Sequence, residues 1–472
     1  MNLTASASER IQMSSSLQIE DPRSFTGIFN LTASASERIQ MSSNLSMIHH
    51  PMKRPATGAE GESNAKMKIS GTTRSKRYST PLAMRIAFVF ILCMRPNVQA
   101  QGLLEELLSQ DAAADSLTLA VVGDIMVHQA QLASAWDAEG FYDFNPVFEP
   151  VRELLSASDL AIGNLETTLP GRKDLFSGYP RFGAPDALAG ALKNAGFDIL
   201  ATANNHACDK GLLGMIRTLD VLDSLGIRHI GTWRDSIDRD SSRVLLVEKK
   251  GFRLAFLNFT YDINGMPLPA PAQISLIRRQ HLSDQMAQAR SLEPDMILVM
   301  LHCGTEYGVE PDDFQKKTVD DLFREGADII LGSHPHVLQR FDLQSSADRT
   351  GVVKPRFVIY SLGNFLSNQR ERRRNGGIIL HLTLKKRSTG STAGKTSISS
   401  IGYTPVWVDA SLHQGKLRHR ILPLPEDTAE ILLDSLPPDS RRAARIFLSD
   451  AHSLLKPHLT RLRGAAQAES MP

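Results

Sequence analysis

Seven hydrophobic runs, each followed by a short polar loop, recur along the middle of the chain. The runs are four to seven residues long and rich in Val, Ile, Leu and Phe, and they do not alternate with polar residues. This pattern is typical of strands buried on both faces. The runs are LTLAVV, DLAI, FDILATA, RLAFL, MILVML, DIIL and FVIY.

Four segments between the runs have apolar residues three and four positions apart, which predicts helices. Pro146 to Ser156 begins at a proline, a residue favoured in the first turn of a helix. Pro185 to Ala195, Gly211 to Leu225 and Asp312 to Glu325 each end directly before a glycine, which commonly terminates helices. Strands that alternate with helices predict a largely parallel sheet covered by helices.

After the seventh run the pattern changes. Gly377 to Lys385 alternates apolar and polar residues, which predicts a half-exposed antiparallel strand. The Ser-, Thr-, Gly- and Lys-rich stretch from Lys386 to Ser397 is typical of a flexible loop, and ISSIGYTPVWV then predicts one or two more strands. We interpret residues 117–425 as one domain and residues 426–472 as a C-terminal helical extension.

Composition places few limits on function. With 472 residues and 42% hydrophobic content, the chain can bury a large core. The net charge of +2 gives no reason to expect nucleic acid as a partner. Three cysteines do not form a disulfide framework. We expect Cys93 to be removed with a signal peptide, and Cys208 and Cys303 to pack as small hydrophobic residues.

An exact repeat stands near the N-terminus. NLTASASERIQMSS occurs over residues 2–15 and again over residues 30–43. The repeat is too short for a solenoid unit and has no apolar period to bury. We expect residues 1–83 to be disordered and to precede the true start of translation, although a long cleaved leader is the alternative.

A secretory pattern follows. Residues 84–100 have a basic start, an apolar stretch of about nine residues and small residues before the expected cleavage point. This pattern predicts a signal peptide, with a buried strand as the alternative. Translation would then begin near Met67 or Met84, and an exported, periplasmic or envelope-associated protein would start at Gln101, with residues 101–116 as a linker.

Polar residues that can bind metal follow successive runs. Each of them alone is compatible with an ordinary role, such as a helix cap or a buried histidine, but in parallel sheets such loops meet at one edge. Carboxylate, amide and imidazole groups together suit Mn, Zn, Fe or Mg-like ions. A glutamate can bridge two cations because its carboxylate has two oxygens. We expect two divalent metal ions, bound by Asp124, Glu166, Asn205, His302, His334 and His336.

These residues lie in motifs that resemble a known family. GDIM, NLE, NNH, HCGTEY, GSHPHV and SLGNF, in this order, resemble the capsule-synthesis CapA family, which is associated with poly-γ-glutamate production. The resemblance covers roughly residues 117–409. That family is in turn similar to calcineurin-like metallophosphoesterases. The resemblance therefore implies an α/β protein with a four-layer α/β/β/α sandwich, to which the C-terminal pattern adds a small β/α extension.

The chain departs from the phosphoesterase pattern at two positions. Phosphoesterases of this class usually open with Asp-x-His, but Met126 stands two residues after Asp124. His128 is four residues along, and whether it substitutes is left open. Glu166 replaces the usual bridging aspartate.

The resemblance implies hydrolysis. Two cations would hold a bridging hydroxide and lower its pKa. His206 would protonate the leaving group. Asn364 is either a substrate-binding residue or a structural turn asparagine. The other candidates for substrate binding are Glu306, Tyr307 and Asn204.

Several functions are compatible with this chemistry. A bridging hydroxide attacks phosphate esters and also amides, so the expected substrate is a phosphoester or a γ-glutamyl amide of an envelope polymer or its precursor. The alternative is a non-catalytic assembly or export component that works with capsule-synthesis membrane proteins. The sequence has no GxxxxGK[ST] motif and no serine in a nucleophile elbow, which disfavours a nucleotide-dependent ligase and a serine hydrolase.

Overall fold

The computed structural model describes residues 115–387, 394–413 and 415–468, with side chains described as far as residue 459. The predicted repeat segment, signal peptide and most of the linker lie outside the described residues. Asp115 and Ser116, the last two residues of the predicted linker, belong to the first strand.

Each predicted hydrophobic run contains a strand among the described residues. Most of these strands continue beyond the run, whereas the strand in FDILATA is shorter than its run, and other strands lie outside the runs. The strands are β1 (Asp115–Ile125), β2 (Leu160–Leu165), β3 (Ile199–Ala201), β4 (Arg228–Ile230), β5 (Thr232–Trp233), β6 (Leu245–Lys249), β7 (Phe252–Thr260), β8 (Gln273–Ile274), β9 (Met296–His302), β10 (Ile329–Ser333), β11 (Phe341–Ala347), β12 (Val353–Ile359), β13 (Asn364–Leu366), β14 (Gly376–Lys386), β15 (Thr396–His413) and β16 (Lys416–Pro423).

The helices include all four predicted segments. They are α1 (Gln129–Ala135), α2 (Asn145–Phe148), α3 (Arg152–Ser156), α4 (Ala187–Ala195), α5 (Gly211–Ser224), α6 (Ser236–Ser242), α7 (Arg279–Ser291), α8 (Asp313–Arg324), α9 (Ala429–Asp434) and α10 (Pro438–Ala468). The first predicted helix is broken into α2, a 3₁₀ turn and α3, because Pro150 has no N–H to donate in a continuous helix. Gly196 ends α4 in the left-handed conformation, as predicted.

Two mixed sheets carry the fold. The first has the order β16-β15-β14-β1-β2-β3-β4, with β13 pairing alongside β1, and the second has the order β11-β12-β10-β9-β7-β6. Strands β1 to β4 are parallel to one another, and so are β7, β9, β10 and β12. The pattern of hydrophobic runs predicted a single sheet, and this prediction was wrong. A strand that is buried on both faces has the same sequence pattern in either sheet, so the pattern does not show which sheet a strand joins.

The packing has four layers. Side chains of both sheets, such as Val121 and Leu298, share one core, which places the sheets face to face. Helices α1 to α4 cover the outer face of the first sheet, through residues such as Leu192. Helices α7 and α8 cover the outer face of the second, through Met286 and Leu322. The predicted four-layer α/β/β/α sandwich is therefore confirmed.

The C-terminal strands differ from the prediction in detail. Strand β14 is antiparallel, but it lies between β1 and β15, so residues 376–380 are buried on both faces and only the end from His381 onward alternates. The prediction of a half-exposed strand was wrong for its first half. Lys386 and Thr396 belong to β14 and β15, so the predicted loop is shorter, and residues 388–393 within it lie outside the described part.

Helix α10 packs against the core between the sheets. Phe447, Ala451 and Leu455 on one face of α10 belong to that core. Pro438 is the first residue of α10, a position that tolerates a missing N–H. Among the described residues, every helix is too short or too polar to cross a bilayer.

The packing of α10 can be tested by truncating one buried side chain. Leu455→Ala is expected to lower the free energy of unfolding by roughly 3 kcal/mol, because Leu455 is fully buried and its removal leaves a cavity. The matched control is Ile446→Ala on the same helix, which is 39% exposed and should cost less than about 1 kcal/mol. Urea unfolding of both variants measures the difference. Equal losses would contradict the packing described here.

Candidate metal centre

The carboxyl ends of parallel strands from both sheets meet at one edge of the sandwich. Asp124 stands at the end of β1, beside Asn164 of β2 and Asn364 of β13. His302 ends β9 and is paired with Ser333 at the end of β10. The six predicted metal ligands are each no more than 2% exposed.

Two groups of ligand atoms form at this edge, and Glu166 belongs to both. One contains Asp124, Glu166 and His302, and the other contains Glu166, His334 and His336. Within each group the ligand atoms lie within 4.8 Å of one another. A carboxylate that belongs to two ligand groups would be available to a cation bound by either group.

The Glu166 carboxylate lacks partners in the protein. Both of its oxygens are buried without a hydrogen bond, and the nearest imidazole nitrogens are Nε2 of His302 at 3.6 Å and Nε2 of His336 at 3.8 Å. Burial, and secondly the charge of Asp124, raises the pKa of Glu166 well above its ordinary value. Such a group is costly to bury unless a cation neutralises it. These residues therefore fit a divalent metal.

Two of the candidate histidine ligands, His302 and His334, are in the neutral form that binds metal. Burial lowers the pKa of His302 well below its ordinary value and that of His334 to about 3, so both imidazoles are neutral at pH 7. Nδ1 of His334 is buried without a hydrogen-bond partner. Like the Glu166 oxygens, it is an unpartnered atom that a cation would satisfy.

Neighbouring side chains orient His302. Its Nδ1 lies 2.9 Å from Ser333 Oγ and 3.2 Å from Asn164 Nδ2, which leaves Nε2 facing Glu166. Nε2 lies 2.8 Å from Asn205 Oδ1. Adjacent ligands of an octahedral ion with bonds of about 2.1 Å stand about 3 Å apart, so the pair has suitable spacing. Contacts such as those of Ser333 and Asn164 with Nδ1 commonly fix the ring orientation of metal-binding histidines.

Asp124 is held by several donors. One of its oxygens accepts from Asn164 Nδ2 at 2.8 Å, and the other accepts from His336 Nδ1 at 2.9 Å and from the His334 N–H at 3.3 Å. Burial alone would raise the pKa of Asp124, but the hydrogen bonds from His336 and Asn164 outweigh it and hold the pKa below its ordinary value. Asp124 therefore carries a negative charge into the site.

The backbone around the site is held in uncommon conformations. His334 and His336 have φ angles of 98° and 57°, in the left-handed region that favours glycine. Tyr307, whose N–H donates to Pro335 O at 2.8 Å, has a φ of 65°. Strain of this kind persists where the surrounding structure enforces it and is frequent at functional sites.

His206 lies beside the ligands with one ring nitrogen engaged. Its Nδ1 is 2.7 Å from Asp209 Oδ2, and this oxygen also accepts from the Phe182 N–H at 2.6 Å. Phe182 packs edge-on against the His206 ring, with centroids 4.6 Å apart. Asp209 therefore engages Nδ1 and leaves Nε2 as the other ring nitrogen. Sequence reasoning missed Asp209, although it lies three residues after His206 in NNHACD.

Asn204 and Asn364 are used mainly inside the protein. Asn204 donates to Leu165 O at 2.8 Å and accepts from the His206 N–H at 3.2 Å, which joins two site loops. The Asn364 amide nitrogen donates to Arg374 O at 2.7 Å and to His336 O at 3.3 Å, while its oxygen is buried without a partner. These contacts match the structural alternative for Asn364, and a role of either residue in binding substrate stays a prediction.

Glu306 and Tyr307 lie at the rim. Glu306 is exposed, and its charge contributes to raising the pKa of Glu166. The half-buried Tyr307 ring has its centroid 6.2 Å from that of His336. Tyr261, which sequence reasoning missed, packs on His334 at 4.5 Å.

His128 does not join either ligand group among the described residues. Its Nδ1 accepts from the Asn368 N–H at 3.2 Å, and its ring packs edge-on against Phe182 at 5.1 Å. Met126, at the position of the usual histidine, is buried. The Asp124 side of the site therefore has one imidazole fewer than the phosphoesterase pattern.

A four-layer α/β/β/α sandwich with buried carboxylate, amide and imidazole groups at its strand ends defines an α/β protein with a candidate metal centre. Residues 118–369 match the family described as bacterial capsule synthesis protein PGA_cap, and the chain belongs to that family. The predicted capsule-synthesis family is thus confirmed.

Two curated relatives carry names from the same area. The chain is 29% identical over 287 residues to the capsule biosynthesis protein CapA of Bacillus anthracis, which covers 58% of this chain and 66% of the relative. It is 26% identical over 327 residues to the PGA biosynthesis protein CapA of Bacillus subtilis strain 168, which covers 68% of this chain and 82% of the relative. The first match thus spans slightly less than two thirds of the relative.

Similar solved structures include two hydrolases by name. The NAD nucleotidase NadN of Haemophilus influenzae is 13% identical with a TM-score of 0.41, covering 71% of this chain and 60% of that one. The calcineurin-like phosphoesterase YfkN from Bacillus subtilis is 13% identical with a TM-score of 0.35, covering 71% and 100%.

Proposed function

We propose that this protein is an exported, metal-dependent hydrolase of capsule-type envelope polymer synthesis, with two divalent ions bridged by Glu166. The observation that carries the proposal is the buried Glu166 carboxylate, which has no hydrogen-bond partner and belongs to both ligand groups. The substrate is a phosphoester or a γ-glutamyl amide of an envelope polymer or its precursor. Family membership and the names of the two relatives support this substrate class.

Each group of side chains has a separate task in this proposal. Asp124, Glu166, Asn205 and the three site histidines would hold the ions, which would polarise the substrate and lower the pKa of bound water. Glu166, which belongs to both ligand groups, would neutralise part of the positive charge of the bound ions. His206, whose Nδ1 is held by Asp209, presents Nε2 as the atom that delivers a proton to the leaving group.

One observation favours a second candidate function. Met126 occupies the position of the usual phosphoesterase histidine and is buried, so the site has fewer ligands than that pattern. A protein with an incomplete centre would serve as a non-catalytic assembly or export component that binds polymer and works with capsule-synthesis membrane proteins.

Metal content separates these functions. The purified full-length chain, supplied with Mn²⁺ and Zn²⁺, is expected to retain close to two equivalents of metal, measured by mass spectrometry of the element. An Asp124→Ala/His334→Ala double variant should lose them, because one residue from each ligand group is removed. One equivalent would indicate a mononuclear site, and none in a folded protein would favour the assembly component. Turnover of a phosphodiester or a γ-glutamyl amide by the loaded protein then tests hydrolysis itself.

A further inference from the structure

The loop that follows β13 carries four arginines within five residues. Three of them are engaged by residues outside the metal centre. These are Arg370 with the carbonyl oxygen of Val408 at 2.7 Å, Arg372 with the carboxylate of Asp450 at 2.8 Å, and Arg373 with the same carboxylate at 3.6 Å. The fourth, Arg374, has different surroundings.

Arg374 lies at the rim of the metal centre. Its guanidinium carbon is 3.4 Å from the centroid of the Tyr307 ring, and that ring also neighbours His336. The backbone of Arg374 is tied to the same region, because Asn364 donates to both Arg374 O and His336 O. Both the side chain and the backbone of Arg374 are therefore positioned by residues of the site.

The charge of Arg374 is weakly compensated. Arg374 forms an ion pair with Glu371 across 3.8 Å, at the outer limit of such a contact. The Glu371 side chain is 64% exposed. Arg374 itself keeps 30% of its side chain exposed. A guanidinium that stacks on an aromatic ring keeps its N–H groups, which lie in its plane, available for an oxyanion.

The loop is also held in a defined shape. Arg373, which directly precedes Arg374, has a φ of 73°. Tyr307, whose ring packs against the Arg374 guanidinium, has a φ of 65°. Both residues are therefore in the left-handed region. Asp450 of α10 engages Arg372 and Arg373 together. A binding group that is already positioned loses less conformational freedom when a ligand binds.

We propose that Arg374 binds an oxyanion of the substrate, a carboxylate or a phosphate, next to the bond that lies at the metal centre. This inference rests on the proposed function and narrows it to substrates with a second anionic group. A γ-glutamyl polymer has a free carboxylate on every unit, and a phosphodiester polymer has a charged phosphate at every link. Bidentate pairing with arginine suits both groups.

The test uses small dianions on the full-length, Mn²⁺-loaded protein, with affinity measured by calorimetry. Glutarate and propane diphosphonate each carry two anionic groups, whereas glutaramate and propylphosphonate each carry one anionic group. Arg374→Met is expected to weaken the dianions by about 10- to 100-fold and the matched monoanions by less than about threefold. The dianion whose affinity falls more in Arg374→Met shows whether Arg374 binds a carboxylate or a phosphate.

Two further variants separate binding from structure. Arg374→Lys keeps the charge and should recover part of the affinity, although it cannot pair in a bidentate way. Arg372→Met removes one charge from the same loop but should change dianion affinity by less than about twofold, because Arg373 still pairs with Asp450 and an exposed ion pair contributes little.

Metal content is measured in every sample. Unchanged dianion affinity in Arg374→Met with full metal content would overturn the subsite and leave the proposed function intact. A wild-type protein that binds no metal would overturn both.

Discussion

Replacing Glu166 by Gln is expected to abolish the binding of two metal ions and, in the absence of metal, to make the protein more stable. The wild-type carboxyl group is fully buried without a hydrogen-bond partner, which costs free energy in the folded protein unless a cation compensates it. Gln has nearly the same shape and no charge. We expect a metal content of at most one equivalent and hydrolysis reduced by at least about a thousandfold.

The stability effect has a defined dependence on pH. The pKa of Glu166 is raised above its ordinary value of 4.5 in the folded state, so the unfolded chain releases this proton first as the pH rises. The metal-free wild type should therefore lose stability relative to Glu166→Gln as the pH rises above that value. At neutral pH we expect a difference of roughly 2 kcal/mol in favour of the variant.

Denaturant unfolding with and without Mn²⁺ measures both effects. Added metal should stabilise the wild type, since it binds the folded state, and should stabilise Glu166→Gln much less. Glu306→Gln is the matched control, because Glu306 is an exposed carboxylate at the rim, and it should leave metal content and stability nearly unchanged. A Glu166→Gln protein that keeps two metals would exclude the bridging role.

Much of the fold followed from local patterns. Uninterrupted hydrophobic runs identified the central strands because both of their faces are covered, and Gly196 and Gly326 ended helices because each adopts a left-handed φ. Local sequence patterns do not show which strands pair with one another. The division into two sheets, and the burial of Ile378 and Ile379 on opposite faces of β14, depend on strands far away in the chain.

The candidate ligands could be predicted because loops after parallel strands converge, whichever sheet each strand enters. Their supporting residues could not. Asn164 and Ser333 act by hydrogen bonds to Asp124 and His302, and these bonds depend on the register of β2 beside β1 and of β10 beside β9. The left-handed backbone at His334 is likewise enforced by tertiary contacts, since histidine does not prefer it.

Local signals for two other residues were present but weak. Asp209 lies in the same turn as His206, and a carboxylate three residues after a histidine is within reach when the loop turns back. Arg374 is one of four arginines in its loop, and nothing in the sequence distinguishes it from Arg372. Only the contacts with Tyr307 and Asp450 separate the two.

Replacing His206 by Ala is expected to retain the metal but to slow hydrolysis by about a hundred- to ten-thousandfold for substrates with a poor leaving group. An alkoxide needs a proton as it departs, and in the proposed function His206 Nε2 delivers it. A p-nitrophenolate departs without protonation. For a p-nitrophenyl ester of the same phosphate, or a γ-glutamyl p-nitroanilide if amides are hydrolysed, the loss should therefore fall below about tenfold.

Asp209→Asn provides the second arm of this experiment. In this variant Nδ1–H of His206 would face a neutral amide oxygen instead of a charged carboxylate. We therefore expect a smaller loss of hydrolysis rate than in His206→Ala, with the same dependence on the leaving group. Steady-state rates for both leaving groups, with metal content measured on the same preparations, distinguish the explanations. An equal loss for both leaving groups would show that His206 does not act as the acid. Loss of metal with activity would instead make His206 part of the metal centre, since the Asn205 amide beside it reaches within 2.8 Å of His302.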